Sequence, residues 1–170
     1  MGAESHTEQD RYRTLRLKNQ LCFPLYAAAK EVTRLYRSFL DPLGLTYTQY
    51  IAMMVMWEHK QLNVTDIGEY LYLDSGTMTG VLKKLEEKGL VTRTAAKEDK
   101  RIHIITLTKA GEELQEAALA VPQQMSCLVR LGEEEAGALY DQLYRLLDIL
   151  RASAAEEQRT ETTDDYATQS

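Results

Sequence analysis

The chain has 170 residues, 20 Lys+Arg against 26 Asp+Glu, a formal net charge of -6, and 44% apolar residues. Length and apolar content suit one buried core and argue against disorder over most of the chain. The acidic balance excludes nucleic-acid binding through bulk positive charge, and two cysteines exclude a disulfide scaffold, so a cytoplasmic location is expected.

In chain order, residues 1–14 read as a polar lead-in without the basic-then-apolar pattern of a signal segment. From Leu15 to Leu40 apolar residues recur at three and four, through Leu21, Leu25, Val32, Leu35, Tyr36 and Phe39, which predicts a helix. Pro24 suits its first turn, so Cys22 falls at the N-terminal edge. Asp41-Pro42-Leu43-Gly44 is expected to stop it, because a residue before proline avoids helical dihedrals. Thr46 or Thr48 caps a second helix through Ile51, Met54, Val55 and Glu58. The run Ile51 to Trp57 is the longest apolar stretch, far too short for a membrane span. Thr65 precedes a short helix through Asp66, Glu69 and Leu71, and Asp74 or Ser75 opens another through Met78, Val81, Leu82 and Leu85, closed by Gly89. Two short helices on a tight turn make a helix-turn-helix.

Leu90 to Thr94 and Ile102 to Leu107 alternate like strands around a charged loop, a hairpin wing. Thr108 caps a long helix interrupted near Pro122, and Glu133-Glu134-Glu135 opens a last one carrying Leu139, Leu143, Leu146, Leu147 and Leu150. The fold class expected is α+β, mostly α. It comprises a winged helix-turn-helix at 46–107, helical dimerisation regions at 15–45 and 108–154, and an acidic, disordered tail at 155–170. Glu156 to Ser170 carries five carboxylates against Arg159, leaving residues 1–155 at only -2. Lys83 to His103 is locally +3.

This order of elements has a physical use. Ser75, Thr77 and Thr79 present short polar side chains where a recognition helix meets base edges, and Lys83 and Lys84 lie further along for phosphates. Arg93, Lys97, Lys100 and Arg101 supply the wing with positive charge, and Asp99 braces Arg101 for a narrow minor groove. The apolar residues of the first and last helices exceed what one winged domain covers, which points to a homodimer on double-stranded DNA, the alternative being a monomer with a larger helical core. Cys22 at a helix N-terminus has its thiolate favoured, with Tyr36 and Tyr47 as candidate donors and Tyr26 one turn away. The opposing reading is a buried structural cysteine. His6, His59 and His103 fall at no metal-ligand spacing from either cysteine, and no cofactor, metal or membrane partner is expected. Met53-Met54 with Met56, and Tyr70-Leu71-Tyr72, read as core.

The segment Asp99 to Thr108 resembles the D-x-R…L-T wing signature of MarR-family transcriptional regulators. Leu73 to Thr79, with Leu82 to Glu86, is similar to that family's recognition helix, and the likeness covers about residues 15 to 150. Asn19 to Tyr26, with Tyr36 and Tyr47, resembles the organic hydroperoxide resistance regulator (OhrR) branch. That resemblance implies that Cys22 is a peroxide-reactive thiol, hydrogen-bonded by two tyrosines from across the dimer. It places Cys127 where two-cysteine members carry a resolving thiol that closes an intersubunit disulfide. It implies a repressor that binds its operator reduced and releases it when an organic hydroperoxide oxidises Cys22. The rivals are a repressor relieved by a small phenolic ligand with Cys22 structural, a thiol peroxidase, and a winged-helix module that binds protein.

Overall fold

The computed structural model describes residues 11–167, with side chains as far as Glu156; most of the polar lead-in, and His6 with it, lies outside them. Two 3-10 turns, Arg13–Leu15 and Leu17–Asn19, lead into helix α1 (Cys22–Leu40). Then come α2 (Tyr47–His59), β1 (Gln61–Asn63), α3 (Val64–Leu71), α4 (Ser75–Glu87), β2 (Val91–Ala95), β3 (His103–Leu107), α5 (Lys109–Ala118), α6 (Ala120–Val129) and α7 (Glu133–Ala167). Mostly helical with one small antiparallel sheet, this is a winged helix-turn-helix. Among the described residues no helix is long and apolar enough to cross a membrane.

Local chemistry sets the boundaries. Asp41 keeps helical dihedrals despite preceding proline, contrary to expectation, because Asp41–Leu43 tightens into a 3-10 turn. Pro42 sits at the start of that turn, where no N–H is required. Gly44 makes the actual stop, at φ 65° in the left-handed region. Thr46 opens α2 with a reciprocal capping box, its hydroxyl accepting from the Gln49 N–H while Gln49 Oε1 accepts from the Thr46 N–H. α3 starts earlier than expected, capped by Asn63 rather than Thr65. The cause is β1, a three-residue strand too short for its alternation to register in the sequence, which delivers Asn63 in the extended conformation a cap needs.

The sheet runs β1-β3-β2, with Leu62 and Arg93 both opposite Ile105. Thr108 joins sheet to helix: its hydroxyl donates to the Gly89 carbonyl at 2.7 Å and accepts from the Gly111 N–H at 3.1 Å. The helix break falls at Leu119, and Pro122 lies inside the first turn of α6, where its missing N–H leaves no bond unmade. α7 continues through Ala167, so most of the acidic stretch expected to be disordered is helical. Ala154, Ala155, Glu156, Glu157 and Gln158 are good helix formers that extend the turns before them. Thr168 to Ser170 lie outside the described residues.

The core is the winged domain itself. Met53 and Met56 of α2, Ile67 of α3, Met78, Leu82 and Leu85 of α4, and Ile105 of β3 are fully buried, joined by Leu40 from α1 and Ala118 and Val121 from α5 and α6. Tyr36 packs against this cluster too, so it is not one of the surplus apolar residues left for a dimer. Met53 and Met56 are core as expected; Met54, Tyr70 and Tyr72 are instead exposed. Trp57 ties α2 to α5 by donating its indole N–H to the Gly111 carbonyl at 2.8 Å. A β-carbon on Gly111 would meet the Leu90 carbonyl at 2.3 Å, so only glycine allows that approach. The chain divides into two compact units after Met125.

Candidate DNA-reading face and thiol site

The helix-turn-helix depends on one close contact. A β-carbon on Gly68 of α3 would stand 2.7 Å from the Leu73 carbonyl, so the turn folds back tightly only over glycine. Tyr72 takes the left-handed conformation at φ 56°, and Asp74 caps α4. The Asp74 carboxylate accepts from the Thr77 hydroxyl at 2.6 Å and the Thr77 N–H at 2.9 Å. These bonds hold its pKa below the usual carboxylate range, the hydroxyl bond foremost. Thr79 donates its hydroxyl to the Ser75 carbonyl at 2.8 Å. Ser75, Thr77 and Thr79 are all exposed on the first turns of α4, with the two threonine protons already committed within the helix. Toward a base edge those two hydroxyls therefore act as acceptors. Lys83 and Lys84 are exposed, Lys83 standing 4.0 Å from Glu87.

In the wing, Asp99 and Arg101 form a fork. Arg101 Nη2 donates to Asp99 Oδ2 at 2.9 Å, Nε donates to Oδ1 at 3.1 Å, and the Arg101 backbone N–H donates to Oδ1 at 2.9 Å. The Arg101 side chain is nonetheless 91% exposed: the carboxylate aims the guanidinium and leaves its outer edge to solvent. The guanidinium holds the Asp99 carboxyl below its ordinary range, and the same bond raises Arg101. Lys97 and Lys100 are exposed in the loop. Arg93 departs from expectation. It lies in the expected strand, β2, but is half-buried, its backbone N–H donating to Glu86 and its Nε buried without a hydrogen-bond partner. Lys88, which the sequence counts with the local positive charge, is tied to Gln49 at 2.7 Å and to the Gly44 carbonyl.

Cys22 is the first residue of α1 and is exposed. No side chain caps that helix; in its first turn the Phe23 N–H donates to the Gln20 carbonyl at 3.4 Å and Pro24 carries no N–H. The tyrosines gather elsewhere. The rings of Tyr36 and Tyr47 lie 4.8 Å apart, and Tyr50, which sequence reading missed, stands 6.0 Å from Tyr36. Its signal was its position three residues after Tyr47 on one helix face. Burial raises all three phenol pKa values, with neighbouring phenols adding to the rise at Tyr36 and Tyr50, so all stay protonated as hydrogen-bond donors at neutral pH. Fourteen residues of one helix separate Cys22 from Tyr36, roughly 21 Å of axial rise. Tyr36 therefore cannot serve its own chain's thiol. Tyr26, one turn from Cys22, is exposed. Cys127 is a free, exposed thiol in helix α6.

Residues 45–103 match the MarR family profile. Over 142 residues, 84% of this chain and 97% of the other, the sequence is 43% identical to the organic hydroperoxide resistance transcriptional regulator of Bacillus subtilis strain 168. The chain belongs to the MarR family. It is a transcriptional regulator with a DNA-binding winged-helix fold, not an enzyme. Among solved structures, reduced AbfR bound to DNA superimposes with a TM-score of 0.68 at 34% identity, over 82% of this chain and 98% of that one. A disulfide-formed AbfR superimposes with a TM-score of 0.60 at 33% identity, over 84% and 97%.

Proposed function

We propose that this MarR-family chain is a dimeric repressor that holds operator DNA while Cys22 is reduced and releases it when an organic hydroperoxide oxidises Cys22. The observation that carries the reading is the separation of an exposed helix-start thiol from its chain's half-buried, protonated Tyr36 and Tyr47. A second copy, docked antiparallel along α1, brings each thiol to the other's Tyr36 and Tyr47. The apolar residues left uncovered support that docking: Leu21, Phe23, Leu25 and Tyr26 on and just before α1, and Leu139, Leu143 and Leu150 on α7, are exposed.

The chemistry follows from the groups present. The Cys22 thiolate attacks one peroxide oxygen; the O–O bond breaks, the alkoxide leaves and takes a proton to become an alcohol, and sulfur is left as a sulfenic acid. The partner's Cys127 thiol condenses with it, forming an intersubunit disulfide and releasing water. Drawing the two thiols within disulfide distance moves helices and alters the spacing of two α4 helices, which breaks a two-site fit to DNA. Ser75, Thr77 and Thr79 read base edges, Lys83, Lys84, Lys97 and Lys100 neutralise phosphates, and Arg101 braced by Asp99 enters the minor groove.

Operator binding of wild type, Cys22→Ser and Cys127→Ser, with and without an organic hydroperoxide, tests this. Cys22→Ser is expected to bind and no longer release. Normal peroxide-driven release by that variant contradicts the reading, and a peroxide-dependent dimer band on a non-reducing gel, lost in Cys127→Ser, tests the resolving thiol separately.

A further inference from the structure

Beside the tyrosine cluster lies a cleft of about 430 Å³ between α1 and the start of α2, a size that suits a small ligand. One wall is a stripe of α1 at helical spacing, Lys30, Arg34, Arg37 and finally Asp41. The facing wall is Leu45, which is buried, with Thr46 and Tyr47 at the first turn of a thirteen-residue helix. Three cations and one carboxylate thus share one wall, and the positive end of the α2 dipole lies at the other. Arg34 is partly satisfied by Glu31, its Nε donating to Oε2 at 2.8 Å. Neither the winged core nor the DNA-reading face uses this stripe. Tyr47 belongs both to the cleft and to the tyrosine pair.

We propose that this cleft selects the inducer: Lys30, Arg34 and Arg37 hold the carboxylate of an acid-bearing organic hydroperoxide, whose apolar body lies over Leu45 and Tyr47. The inference rests on the sensor reading above and adds the substrate's charge to it. A ligand held at its anionic end presents the remainder to Tyr47, the phenol that sits beside Tyr36. Binding the carboxylate accelerates the bond exchange at sulfur by raising local peroxide concentration, while leaving the exchange itself unchanged.

The test uses a matched pair, a long-chain fatty-acid hydroperoxide and its methyl ester, which differ only in charge. In the full-length reduced protein, Cys22 sulfenate formation is followed by a thiol-specific trap. The acid is expected to react at least tenfold faster than the ester in wild type. That preference is expected to shrink below about twofold in a Lys30→Gln/Arg37→Gln variant, whose operator affinity stays near wild type. Equal rates in wild type, or a preference that survives in the variant, overturns the proposal. The corresponding hydroxy acid, which cannot oxidise a thiol, reports the cleft independently by calorimetry. Binding weakened at least tenfold in the variant supports the cleft, and no binding to wild type overturns it. A Cys22 inert to both peroxides overturns the sensor reading instead, with the hydroxy-acid arm still deciding the cleft.

Discussion

The winged domain and the flanking helices solve opposite problems. Met53, Met56, Ile67, Met78, Leu82, Leu85 and Ile105 are covered from every side, and their helices start at Thr46, Asn63 and Asp74, each with a side-chain cap of about 1 kcal/mol. α7 has no buried residue among those described, α1 starts without a side-chain cap, and leucines on both are exposed. The first region is finished within one chain. Each flanking helix keeps apolar side chains exposed, and Cys22 stands exposed at the start of α1. On the function proposed above, a thiol set outside the finished core can be oxidised while the DNA-binding domain stays folded.

The contrast can be broken from either side. In the finished region, Gly111→Val drives a side chain into the Leu90 carbonyl and Leu107, and is expected to cost about 3 kcal/mol, read as a lowered denaturation midpoint. In the unfinished region, Leu139→Glu with Leu143→Glu is expected to leave the winged domain folded by circular dichroism. It should yield monomers in sedimentation and lower operator affinity on the order of a hundredfold, because the two half-sites are no longer linked. At the wing, Arg101→Ala is expected to weaken operator binding about tenfold, and Asp99→Asn less, because the guanidinium keeps its charge and loses its aim. Acidification through the depressed Asp99 pKa acts like Asp99→Asn: the brace is present at neutral pH and is lost as the carboxylate is protonated. Gly80→Ala is the smallest change, since nothing lies near the added β-carbon; it is expected to stabilise α4 by about 0.5–1 kcal/mol.

The winged region was legible in the sequence because its signals are local. Capping residues, Gly44 and Gly89 as stops, and a period that switches from helical to alternating around the Asp99–Arg101 loop are each readable within a few residues. What escaped depended on tertiary context. β1 is only a strand because β3 lies beside it, and that pairing moves the α3 cap to Asn63. Arg93 looked like a free wing cation until Glu86 was placed against its backbone. Tyr50 joins Tyr36 and Tyr47 through the packing of α1 on α2, and the α1 cation stripe lines a cleft only once Tyr47 faces it. Cys22 at a helix start was visible, whereas its distance from Tyr36 follows from α1 running unbroken to Leu40.

The central claim is that each thiol is served by the other chain's tyrosines, and mixed dimers test it most directly. One chain carries Cys22→Ser with intact tyrosines; its partner keeps Cys22 and carries Tyr36→Phe and Tyr47→Phe. In that dimer the one remaining Cys22 is expected to form its sulfenate at close to the wild-type rate. A rate as slow as that of the Tyr36→Phe/Tyr47→Phe homodimer would contradict it.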